Sequence, residues 1–156
     1  MLLRLGGATP IREGEVLELQ QRERGVVVDQ FGSIAIYGPA AFPAERSILS
    51  AMVEEDVRDR IGRGIRLSAE FLDFVDPTAA ASEVVVAVGL LGCRYLPWRT
   101  KAEFDRDGGS GETGHAGESV IVVPPRLPIK RNSIRSQADS LSAELTALLR
   151  REARNA

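Results

Sequence analysis

Residues 44–92 read AERSILSAMVEEDVRDRIGRGIRLSAEFLDFVDPTAAASEVVVAVGLLG. Within them Ile48, Leu49, Met52, Val53, Val57, Ile61 and Ile65 recur at steps of three and four, one face of a 3.6-residue period. Glu54, Glu55, Asp56, Arg58, Asp59 and Arg60 take most of the opposite face. The like pair Glu55 and Asp59 offsets the opposite pair Glu54 and Arg58, so the apolar stripe must supply most of the stability. Pro43 sits where it can open such a helix. Gly62 and Gly64 interrupt the pattern at about 1 kcal/mol each relative to Ala.

Residues 65–75 admit two readings. In a strand, Ile65, Leu67, Ala69 and Phe71 alternate with Arg66, Ser68 and Glu70. In a helix, Ile65, Ala69 and Leu72 prolong the stripe. The strand register fails at Leu72–Asp73, where apolar and charged residues change sides, which favours a helix to about Val75. Asp76–Pro77 closes the segment either way, because a residue before proline is driven from the helical region. EVVVAVGLLG then reads as a central strand covered on both faces.

Upstream, GEVLELQ (14–20), the VVVDQ run and SIAIYG are short, apolar and closely spaced, as antiparallel strands joined by tight turns are. Residues 1–10 read as a lead-in. Downstream, Pro97 argues against a central strand in CRYLPWRTKAEFDRD, and Trp98 and Phe104 are expected to cover one end of the core. The segment 105–118, DRDGGSGETGHAGE, reads as a flexible loop. ESVIVVPP is a late strand. RLPIKRN is an extended basic connector. Ser133 is placed to cap a C-terminal amphipathic helix over 134–152, with Ile134, Ala138, Leu141, Leu145, Leu148 and Leu149 on one face. Arg150, Arg151 and Arg154 complement its dipole.

The expected fold is α+β. One mainly antiparallel sheet of about five strands carries a long central helix and a C-terminal helix, in a single domain over 1–156. A length of 156 residues suits one domain. A 44% hydrophobic, 27% charged composition is that of a globular chain. A net charge of −2 supplies no global drive toward nucleic acid or anionic lipid. Eighteen arginines against two lysines point to a GC-rich bacterial genome. A single cysteine and a start, MLLRLGGATP, without a signal-peptide core point to the cytoplasm.

The chemistry-bearing motifs are thin. Gly109 and Gly114 have phosphate-loop spacing, but His115 and Ala116 stand where that loop needs lysine and a hydroxyl. His115 is the only histidine, so the usual general base is scarce. Cys93, ending an apolar strand, reads as a buried thiol. The carboxylates Glu54, Glu55, Asp56 and Asp59 read as a solvated helix face, since a helix spreads neighbours around its axis. No catalytic, metal or cofactor site is assigned.

Three functions follow. The first is a non-catalytic interaction or assembly domain, binding a protein partner or itself through Trp98, Arg99, Leu141, Leu145 and Leu148. Trp98 could be an exposed anchor, although a core-capping role is the more ordinary one. The second is a regulatory nucleic-acid binder using Arg126, Lys130, Arg131 and Arg135. Residues 119–156 carry 7 basic and 3 acidic residues, yet no aromatic follows Phe104 to stack on a base. The third is a small enzyme with dispersed carboxylates. No membrane role is expected.

Overall fold

In the computed structural model the described residues are 9–13, 16–21, 24–29, 33–43, 50–93, 96–107, 120–123 and 127–155. The chain is mixed helix and strand, with a long central helix and a C-terminal helix. It divides into two compact units, Met1–Pro39 and Ala40–Ala156.

The first unit is a four-stranded antiparallel meander: β1 (Thr9–Glu13), β2 (Val16–Gln21), β3 (Arg24–Asp29) and β4 (Ile34–Tyr37), in sequence order. The lead-in expected over 1–10 thus ends in a strand, since Thr9 and Pro10 pair with Gln20 and Leu19. Register puts Val26 opposite Ile36 and Val28 opposite Ile34, so these four share one face. In the register, Leu19 and Leu17 of β2 stand opposite Val26 and Val28. Tyr37 lies opposite Gly25, and a Cβ there would meet the tyrosine ring at 2.3 Å. Only glycine lets the ring lie across the strand.

The second unit begins with β5 (Phe42–Pro43), antiparallel to β6 (Ser50–Val53). Here the expected helix yields to a strand. Ala51, Met52 and Val53 are all buried, as a strand enclosed on both sides requires. The 3.6-residue stripe had absorbed Met52 and Val53 because a continuous apolar run satisfies either period. Helix α1 (Glu54–Val75) follows directly and includes the disputed 65–75 segment. Val53 offers no side-chain cap; Glu54, Glu55 and Asp56 in the first turn complement the dipole instead.

The run EVVVAVGLLG is split. It forms β7 (Glu83–Val84) and β8 (Val88–Leu91), which belong to different two-stranded sheets. Next come β9 (Trp98–Arg99), parallel to β6, and α2 (Lys101–Asp107). The late strand β10 (Val120–Val123) pairs antiparallel with β8, and β11 (Ile129–Lys130) with β7. The expected single sheet of about five strands is therefore not seen among the described residues. Strands of two to four residues, broken by Pro97 and by Gly92 at φ 64°, form separate small sheets within the second unit.

The C-terminal helix is also divided, into α3 (Arg131–Ile134) and α4 (Ala138–Asn155). Ser133 does not cap it. Its Oγ donates to the Lys130 carbonyl at 2.9 Å, as Ser136 does to Ser133 and Ser140 to Gln137. Such back-bonds compete with the helical ladder. At the break Ala138 N reaches only the Arg135 carbonyl, at 3.4 Å.

Helix α4 organises this unit. It packs against α1 and against the β8–β10 pair. Gly62 of α1 faces Ser142, whose Oγ would lie 3.4 Å from an added Cβ, so the helices approach closely there. Val57, Ile65 and Ala69 of α1 join Leu145, Leu149 and Ala153 of α4 in the core. Leu90, Ile121 and Val123 close it from the ribbon.

Candidate contact surface

The β8–β10 ribbon pairs Leu91 with Val120, Leu90 with Ile121, Gly89 with Val122, and Val88 with Val123. Alternation sends Leu90, Ile121 and Val123 inward. The opposite face carries Leu91, Val120 and Val122, and it is apolar too. Leu91 is 79% exposed and Val122 58%. The sequence expectation of cover on both faces fails here, and at Val85, which is also exposed. Gly89 leaves its side of the ribbon low, since an added Cβ would crowd the Ile121 carbonyl oxygen at 3.2 Å.

Trp98 and Arg99 are half-buried. Trp98 packs against the core, and its indole Nε1 donates to Glu54 Oε2 at 3.2 Å. Arg150 donates to the same oxygen at 2.6 Å. Glu54 is therefore a tie between β9, α1 and α4 rather than part of a solvated face. Glu55 is also engaged, accepting from the Lys101 backbone N at 2.8 Å. Glu103 and Thr100 form a reciprocal capping box at the start of α2: Glu103 Oε2 accepts from Thr100 N at 2.7 Å, and Thr100 Oγ1 from Glu103 N at 3.3 Å. These bonds, with Arg150 and Arg99 nearby, hold the Glu103 carboxyl below the ordinary range. The Nε atoms of Arg99 and Arg150 are buried without a hydrogen-bond partner.

Leu145 and Leu148 lie in the core, and Leu141 packs against it half-buried. Their side chains are spent on the unit's own interior. Among the described residues of this unit the exposed large apolar side chains are Leu91, Val120 and Val122 on the ribbon and, away from it, Phe74, Val75, Val85 and Leu127.

Arg126 lies outside the described residues, and Lys130 is exposed. Arg131 faces inward, its side chain only 8% exposed. Its Nη2 donates to the carbonyls of Leu72 and Asp76, each at 2.8 Å, and its Nη1 to Asp76 Oδ2 at 2.6 Å. It thus sits at the C-terminus of α1, where the dipole favours a cation, and adds a second donor to carbonyls that also accept from the backbone N of Asp76 and Ala79. Arg135 reaches Asp73 Oδ2 at 3.2 Å. Asp76 also accepts from the backbone N of Ala80 and Ala81, each at 3.0 Å. Those two bonds hold its carboxyl below the ordinary range, helped by Thr78 and Arg131.

Burial pushes the Cys93 thiol upward, away from the reactive thiolate. His115, Gly109 and Gly114 lie outside the described residues, as does the 105–118 loop beyond Asp107, which ends α2. Among the described residues no group of three or more His, Cys, Asp or Glu side chains is placed to hold a metal ion. None of their helices is long and apolar enough to cross a membrane.

The T-x-x-E spacing of Thr100–Glu103 is a sequence signal for that capping box; the Asp76–Arg131 clamp, 55 residues apart, leaves no local signal. No family model matches this chain, and neither a curated protein nor a solved structure matches it.

Proposed function

We propose that this chain is a non-catalytic assembly domain that docks on another protein surface, in the simplest case a second copy of itself. The observation carrying the reading is the outward apolar face of the β8–β10 ribbon, Leu91, Val120 and Val122. Sheet faces of this composition are ordinarily covered, and adjoining exposed apolar residues mark contact sites more often than isolated ones do. The reading moves the contact from the leucines of α4 to the ribbon, because those leucines already serve the core. The nucleic-acid reading draws less support, since Arg131 and Arg135 are engaged with Asp76 and Asp73. A bacterial source and a cytoplasmic setting remain part of the proposal.

Sedimentation velocity tests it. The native chain should gain mass with concentration, and the Leu91→Lys, Val122→Lys double variant should not, with the unfolding midpoint nearly unchanged because both positions are exposed. Binding of a fluorescent apolar dye should fall in the double variant as well. A native chain that stays monomeric and binds no more dye than the variant would remove the reading.

A further inference from the structure

We draw no further inference here: the strongest candidate, the apolar face of the meander formed by Val26, Val28, Ile34 and Ile36, carries nothing because the structure does not show what covers it.

Discussion

Arg131→Ala removes the second donor to the Leu72 and Asp76 carbonyls, which keep the backbone N–H groups of Asp76 and Ala79, and the partner of the Asp76 carboxylate. Each lost bond is worth about 1 kcal/mol or somewhat more. At about 2–4 °C per kcal/mol for a chain of this size, thermal unfolding should shift down by several degrees. Arg131→Lys should recover only part of the loss, since an ammonium cannot reproduce the guanidinium fork. Circular dichroism melts of the three chains check this; equal midpoints would show that Arg131 contributes nothing. Among the described carboxylates, Asp76 and Glu103 contribute to the pH dependence. Both folded-state pKa values lie below the ordinary 3.8 and 4.5. Their stabilisation is fully present above those unfolded values and is lost as pH falls through the lower folded ones. The midpoint should therefore fall as pH drops below about 4, and the Asp76→Asn chain should fall less. A parallel pH profile would contradict this assignment. The Thr100–Glu103 spacing was legible in the sequence, whereas the Arg131–Asp76 tie was not, for a plain reason: Arg131 and Asp76 look like any surface charges until the fold brings them together.

Within α1 the two glycines make opposite predictions. An added Cβ at Gly64 meets nothing within 4 Å. Gly64→Ala should therefore stabilise by about 1 kcal/mol through helix propensity alone. Gly62 faces Ser142 across the α1–α4 contact, so Gly62→Leu must separate the helices and should cost about 1–3 kcal/mol. Urea unfolding followed by the fluorescence of Trp98, the sole tryptophan, measures both. Similar signs for the two variants would mean the packing is misassigned. The helix was legible through Val75 because charge and apolarity change sides at Leu72–Asp73. Its start was not, because Ala51–Val53 is apolar whichever period is applied. The C-terminal helix was legible from its leucines, but its cap was not: Ser133 turned its hydroxyl back onto Lys130. For the ribbon, the run of valines announced a strand and said nothing about how many layers would cover it.

At the scale of the whole molecule, helices and strands were both legible, whereas their grouping was not. Pairing between β8 and β10 spans the Gly-rich segment, and that between β7 and β11 spans a longer stretch still. Periodicity describes faces within an element and carries no information about such partners. The candidate site suffered from the same limit. Leu145 and Leu148 were legible as an apolar stripe, but a stripe does not say whether its cover comes from the same chain. The outward face of the ribbon emerged only once the register placed Leu91 beside Val120. The most direct test of that face is site-specific photo-crosslinking in cells that express the protein, with the photoreactive amino acid at Val122 or, as a control, at the exposed Arg63 of α1. The account predicts a discrete protein adduct from position 122 and none from position 63; equal adducts from both, or none from position 122, would contradict it.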